Sequence, residues 1–474
     1  MHRATKIVAT LGPASSSPEV LERLILAGVN VVRLNFSHGS AAEHRARAEL
    51  VRSIADRCKR DVGMLVDLQG PKIRIGKFGQ GPITLNTGDR FRFDIHCESG
   101  DQNTVGLDYK ELVNDVKPGD TLVLNDGRMS MRVESVSNST IDAKVMVGGV
   151  LSDRKGINRL GGGLSAAALT AKDMDDIRTA ADLAADFLAV SFPKNASDMY
   201  MARELMRACG SKAHTIAKIE RYEAIENLEN VLKASDGVMV ARGDLAIEVG
   251  DAAVPALQKR MIRMARECNK FTITATQMME SMIESPVPTR AEVSDVANAV
   301  IDGTDAVMLS AESAAGKYPV ETVEAMVRIC LEAEKSHRVS LDTEFLNRTF
   351  TRIDQSIAMS ALFVAHHMQV KAIAALTQSG STALWMSRLN AGVPIYALTP
   401  EEASRRRMTI YRDVRPMLSQ YEAFDRDALL RACQNQLLEA GVVEQGDLIV
   451  LTIGEPIGKA GGTNTLKLVR VGEH

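Results

Sequence analysis

HTIAKIERYEAIENL, residues 214–228, opens as a short apolar run interrupted by Lys218 and Glu220. Side chains of a strand alternate between faces, so Ala217 and Ile219 point one way and Lys218 and Glu220 the other. Burying a charge is expensive unless it is paired, bound to an ion or close to water, which puts both groups where the strand meets solvent. From this segment alone an ordinary intrachain ion pair explains them as well as a functional site does.

The surrounding sequence repeats the rhythm. Short β-like runs followed by helical spacing recur at KIVATLG (6–12), VVRLNFSHG (31–39), VGMLVDLQG (62–70), FLAVSF (187–192), TIAKIE (215–220), GVMVARGDL (237–245), FTITATQM (271–278) and AVMLSAES (306–313). Eight such units are what a (β/α)8 barrel needs, and the expected class is α/β with a TIM barrel. Polar residues collect at the C-terminal ends of the runs: Arg33, Asn35 and Ser37; Asp67; Lys218 and Glu220; Arg242 and Asp244; Thr276 and Gln277; Ser310 and Glu312. In a barrel these ends converge on one face, so Lys218 and Glu220 become one sector of a ring.

Residues 72–166 have another texture, with alternating strands joined by Gly, Asp and Asn turns. They predict a small inserted β-barrel domain after the third barrel strand, overhanging the polar ring as a lid. The barrel then occupies 1–71 and 167–345. After a less regular stretch near 338–353, βα alternation resumes over 354–474 as a C-terminal α/β domain.

A net charge of -3 over 474 residues gives no electrostatic case for nucleic acid or an anionic membrane. The N-terminal run is not that of a signal peptide, and no stretch is long and apolar enough to span a bilayer. Six scattered cysteines without zinc or CxxC spacing fit a reducing cytoplasm.

Among the ring residues, Glu220 and Asp244 could share a divalent cation such as Mg²⁺, which prefers oxygen ligands. Surface carboxylates paired with arginines remain the alternative. Gly243, lacking a Cβ, would let backbone N–H groups approach an anion, although it could simply open a turn. Arg33 and Arg74 are fork-shaped donors for phosphate or carboxylate, Lys218 is a compact charge for an enolate or a phosphoryl group in transfer, and Thr276 offers a hydroxyl. Together they imply a small, highly anionic substrate without choosing between phosphoryl transfer and aldol-type chemistry. There is no GxxxxGK[ST] loop, and RLGGGLS (159–165) reads as the flexible return from the lid.

TKIVATLGPAS (5–15), VVRLNFSHG (31–39), DLQGPKIR (67–74), IAKIE (216–220), VMVARGDLAIE (238–248), ATQMMESM (275–282), PTRAEVSDVANAV (288–300) and DAVMLSAESAAGKYP (305–319) together resemble pyruvate kinase, in order and over nearly the whole chain. The resemblance implies transfer of a phosphoryl group from phosphoenolpyruvate to ADP, giving pyruvate and ATP, with Mg²⁺ or Mn²⁺. It also implies an inserted lid and a homotetramer. Carried over by residue, Glu220 and Asp244 bind the divalent ion; Arg33, Gly243, Asp244 and Thr276 surround phosphoenolpyruvate; Lys218 stabilises the phosphoryl group and the enolate. Arg74 and Lys155 face the nucleotide phosphates, with His38 and Asn35 on the nucleotide side; a structural hydrogen-bonding role for His38 is an equal alternative.

Many members read Asp-Thr-Lys-Gly-Pro-Glu-Ile-Arg at the third strand and hold K⁺ near residues matching Asn35, Ser37, Asp67 and the Leu68 carbonyl. This chain has Lys72 in place of the Glu, which resembles the K⁺-independent branch and implies little or no K⁺ activation. TQSGST (377–382), expected to precede a helix starting near Ala383, resembles the family's effector loop, with GEPIGKAGGTNT (454–465) as its neighbour. Thr377, Ser379, Gly380, Ser381 and Thr382 would then bind a sugar phosphate or AMP, although a plain N-cap accounts for the same residues. The competing reading is a metal-dependent aldolase or lyase acting on pyruvate or phosphoenolpyruvate.

Overall fold

The computed structural model describes residues 3–336, 349–419, 426–457 and 461–473. Part of the stretch near 338–353, and residues 458–460 within the 454–465 segment, lie outside the described residues.

All eight expected strands form one closed parallel barrel: Lys6–Thr10, Val31–Asn35, Gly63–Asp67, Phe187–Val190, His214–Ile219, Gly237–Ala241, Phe271–Ala275 and Ala306–Leu309. The last pairs with the first, Lys6 opposite Ala306, so no edge is left open. Alternation sorts the side chains into two cores. Ile7, Val32, Leu34, Met64, Val66, Leu188, Ala217, Ile219 and Val240 face outward and pack with the helices. Val8, Val31, Leu65, Phe187, Ala189, Ile216, Met239, Phe271, Ile273 and Met308 fill the interior. The parity that puts Ile216 inside also sends Lys218 and Glu220 inward, above it at the mouth. Capping boxes start three of the surrounding helices: Ser40 with Glu43, Thr170 with Asp173 and Thr289 with Glu292.

Several β-like runs stop earlier than the sequence suggests. GVMVARGDL, for example, leaves its strand at Ala241 and turns at once into the helix Arg242–Val249, which gives Gly243 and Asp244 to a helix N-terminus.

The insert follows the third barrel strand. Its strands form a six-stranded, mostly antiparallel sheet and a two-stranded ribbon around one core that includes Phe91, Phe93, Met131 and Ile141, so hydrogen bonding leaves two sheets rather than a single closed cylinder. The C-terminal unit is a five-stranded sheet, parallel except for Thr463–Arg470 at one edge. It packs on the N-terminal end of the barrel, opposite the polar ring: Arg388 pairs with buried Asp305, Lys6 Nζ donates to the Val414 carbonyl at 2.6 Å, and the Tyr411 ring lies tilted against Phe271 with centroids 5.8 Å apart. The helix after TQSGST starts at Ser381 rather than near Ala383, because Gly380 takes the left-handed conformation and closes the turn. No described helix is long and apolar enough to cross a membrane.

Candidate active site

Lys218 is the hub of the barrel mouth. Its Nζ donates to Ser191 Oγ at 2.7 Å and lies 2.9 Å from Glu220 Oε1 and 3.2 Å from Asp67 Oδ1. Asp67, itself buried, accepts from Arg33 Nε at 2.7 Å, and Arg33 Nη1 donates to Thr10 Oγ1 at 3.0 Å. Glu220 Oε2 accepts from the Phe192 amide at 2.9 Å. The sequence reading put Glu220 beside solvent; it is only 1% exposed, and these two donors are what make its burial tolerable.

Charge is unevenly compensated here. Burial raises the Asp67 carboxyl, but Lys218 and Arg33 outweigh it and hold its pKa below the ordinary range. Burial likewise disfavours the Lys218 ammonium, and Asp67 with Glu220 reverses this and raises its pKa. Glu220 fares worst: burial, helped by the neighbouring Asp244 charge, pushes it up to about 7 against the pull of Lys218.

Asp244 sits in the first turn of Arg242–Val249, partly exposed, with Lys72 Nζ 3.8 Å from its Oδ1. Lys72 thus reaches the site instead of pointing to solvent. The Gly243 amide donates to Thr276 Oγ1 at 2.9 Å, and that hydroxyl donates to the Ala275 carbonyl at 2.7 Å. Thr276 and Gln277 adopt φ of +68° and +52°, uncommon for residues with a Cβ and strained for a β-branched one. Arg242 holds that turn: Nη2 donates to the Thr276 carbonyl at 2.7 Å and Nη1 to Asp295 at 2.8 Å. Arg242, expected in the ring, is a strut for Thr276. A Cβ on Gly243 would meet nothing nearer than Thr276 Oγ1 at 3.6 Å, so no protein contact demands glycine there.

Beside Arg33 opens a cleft of about 580 Å³ lined by Thr10, Pro13, Asn35, His38, Ser310 and others. Asn35 Oδ1 accepts from the Ser37 amide at 3.1 Å, and the His38 carbonyl lies 2.9 Å from His44 Nε2. Arg74 and Lys155 are apart from this wall, at the root of the insert: Arg74 Nη1 donates to the Arg154 carbonyl at 3.0 Å, and the Lys155 carbonyl accepts from Ile75 at 2.9 Å. The Leu68 carbonyl accepts from Ser191 Oγ at 2.7 Å. Glu312 supports the ring by accepting from the Ser310 amide at 2.6 Å and the Met279 amide at 3.1 Å. In the C-terminal unit Thr377 Oγ1 accepts from the Gly380 amide at 3.0 Å, Ser379 and Ser381 hydroxyls lie 3.3 Å apart, and Thr382 meets Thr463 at 2.6 Å.

Ser191, Thr10 and the Phe192 amide were missed from sequence. FLAVSF reads as a strand, and the parity that turns Phe187, Ala189 and Ser191 inward is the sequence signal for Ser191 in the ring.

The family model described as "Pyruvate kinase, barrel domain" matches residues 2–323, and that for "Pyruvate kinase, alpha/beta domain" matches 355–469. Pyruvate kinase II of Salmonella typhimurium is 49% identical over 99% of both chains. A pyruvate kinase of Haemophilus influenzae is 50% identical over 95% of this chain and 96% of its own, and one of Mycobacterium intracellulare 41% identical over 100% and 99%. Nothing in these matches supports the aldolase reading.

Proposed function

The chain belongs to the pyruvate kinase family, and from that premise we propose how the residues of the barrel mouth divide the work. The enzyme is a phosphotransferase that moves the phosphoryl group of phosphoenolpyruvate to ADP, giving pyruvate and ATP.

Lys218 faces the transferring phosphoryl group and the enolate oxygen left behind, and Arg33 holds the phosphate from the other side. The observation that carries this is the position of one ammonium, fixed by Ser191, Glu220 and Asp67 within 3.2 Å, with Arg33 on the far side of Asp67. Thr276 and the Gly243 amide shape the carboxylate end of the substrate. The Thr276 hydroxyl, whose proton is engaged by Ala275, keeps a lone pair to orient the water that protonates the enolate carbon. ADP enters by the cleft beside Asn35 and His38, its phosphates met by Arg74 and by Lys155 from the lid.

Glu220 and Asp244 suit a hard divalent cation: the donors are carboxylate oxygens, and the charge on Glu220 is poorly compensated without one. They would hold Mg²⁺ or Mn²⁺, which when bound neutralises substrate oxygens. Among the described residues no group of three or more His, Cys, Asp or Glu forms a ready cage, so water and substrate would complete the shell. Oxygens of Asn35, Asp67 and Leu68 already accept from Ser37, Arg33 with Lys218, and Ser191. With the Lys72 charge at Asp244, this supports little or no need for K⁺.

The test is steady-state and single-turnover kinetics of Lys218→Met and Glu220→Gln with pyruvate and ATP both measured. Loss confined to the chemical step for the first, and weakened Mn²⁺ binding for the second, are the expected results. A homotetramer, a cytoplasmic location, and an effector site for a sugar phosphate or AMP at 377–382 belong to the same reading. Analytical ultracentrifugation, cell fractionation and activation assays with a panel of phosphorylated metabolites test them.

A further inference from the structure

The return from the insert to the barrel passes through Gly161, Gly162 and Gly163, at φ of +87°, +72° and +89°. Three successive residues in the left-handed region call for glycine, and such a turn offers its N–H groups to an anion. The sequence reading made 159–165 a flexible return; the structure pins it on both sides. Toward the insert, Arg159 Nη1 donates to the Gly162 carbonyl at 3.1 Å and Arg159 Nε pairs with Asp120 at 2.9 Å. Toward the barrel, the Gly163 amide donates to Glu223 Oε1 at 2.5 Å, the Gly161 amide to the Glu248 carbonyl at 2.9 Å, and Arg221 Nη1 to the Leu164 carbonyl at 3.2 Å. A Cβ on Gly162 would lie 3.0 Å from Glu223 Oε2, so the carboxylate is pressed into the turn.

The barrel-side grips sit on the helix that follows Glu220 after a one-residue step and on the helix that carries Asp244. Glu223 lies three residues beyond Glu220, in the helix Tyr222–Glu226. Glu248 lies near the end of Arg242–Val249, whose first turn holds Asp244, and its Oε2 accepts from the Tyr222 amide at 2.8 Å. Any swing of the insert about the three glycines therefore pulls on both elements at once. Glu223 Oε2 is buried without a hydrogen-bond partner, an acceptor that a second N–H can take as the turn shifts.

We propose that Glu223 is a positioning residue for phosphoryl transfer, its carboxylate coupling the swing of the inserted lid to the placement of Glu220 and Asp244. This rests on the assignment of those two carboxylates to the divalent cation.

The experiment uses the full-length enzyme with Glu223→Ala, Glu223→Asp, Glu223→Gln and, as a separate control, Glu220→Gln. The readouts are Mn²⁺ binding without substrate by electron paramagnetic resonance, kcat and KM for phosphoenolpyruvate and ADP, and hydrogen exchange of 72–166 with and without phosphoenolpyruvate and Mn²⁺. Glu223→Ala is expected to bind Mn²⁺ like the parent and keep its KM for phosphoenolpyruvate, while kcat falls about tenfold and ligand-induced protection of 72–166 disappears. Glu223→Asp, which draws the charge back by one methylene, should lose kcat in the same way and decides the matter if the alanine protein does not fold. Glu223→Gln keeps an acceptor for Gly163 and should recover most of kcat. Parent-like kcat together with parent-like protection in the alanine or aspartate protein overturns the coupling. Parent-like Mn²⁺ affinity in Glu220→Gln overturns the cation assignment instead, whatever the Glu223 variants do.

Discussion

Replacing Lys218 by methionine keeps an unbranched side chain, one atom shorter, and removes its charge. Asp67 retains Arg33 at 2.7 Å, so the group left stranded is Glu220, with only the Phe192 amide at 2.9 Å. Breaking a buried pair this way costs roughly 3–5 kcal/mol, and the residual exposure of Lys218 puts this case near the lower figure. Glu220 already has a pKa raised to about 7, and losing the ammonium raises it further. The folded variant then binds a proton that the unfolded chain, near the ordinary glutamate value, releases. Its stability deficit relative to the parent should be largest well above pH 7 and shrink as pH falls toward 7, below which both folded proteins hold the proton. Catalysis loses a charge aimed at the transferring group, a loss of roughly 10²–10³ in kcat by analogy with a deleted transition-state donor, with KM for phosphoenolpyruvate changed a few-fold at most. Rapid-quench single turnovers read the chemical step directly, and urea midpoints at pH 6 and pH 8 read the stability. A raised KM with unchanged kcat would mean that Lys218 binds ground and transition states alike, and the assigned role would fail.

Lys72→Glu should create K⁺ dependence: activity in tetramethylammonium salts falls and KCl restores it, while the parent responds little to KCl; a strong K⁺ response in the parent refutes the reading of Lys72 at Asp244. Chelation should abolish activity, and Mg²⁺ or Mn²⁺ should restore it with no change in the circular dichroism of the fold, since the apolar cores of the barrel pack without the ion. Arg388→Met strands buried Asp305 at the far end of the barrel, so the urea midpoint should drop by the equivalent of about 3 kcal/mol or more while kcat stays within twofold. Burial lowers the His214 pKa to about 4, so the folded state excludes a proton the unfolded chain accepts; stability should decline as pH falls from about 6.5 to 4, and urea unfolding of His214→Gln should lack that part of the decline.

Much of the site was legible because strand parity and barrel closure are simple rules. Once KIVATLG through AVMLSAES were recognised as eight strands, Arg33, Asp67 and Lys218 had to share one mouth. What could not be read were contacts that depend on where a strand stops. Ser191 carries the inward parity of Phe187 and Ala189 but lies one residue past the strand end at Val190, and Arg242 looks like a ring charge because the helix that redirects it begins at that very residue. The burial of Glu220 was missed for a related reason: its second donor is the amide of Phe192, held at φ of +55°, and a backbone N–H leaves no mark in sequence.

The stretch 214–223 shows how one alternating segment can serve the whole height of the barrel. His214 lies near the floor beside Tyr411, Ile216 fills the middle, and Lys218 and Glu220 line the mouth. Where the strand ends the alternation ends too, and Arg221 and Glu223 reach the return loop of the insert. Since strands are stiff and their registers are fixed on both sides, by Ile216 opposite Gly237 and Phe187 opposite His214, a displacement at the loop cannot be absorbed by slipping the strand. It must appear in the turn between Ile219 and Tyr222, and Glu220 is in that turn.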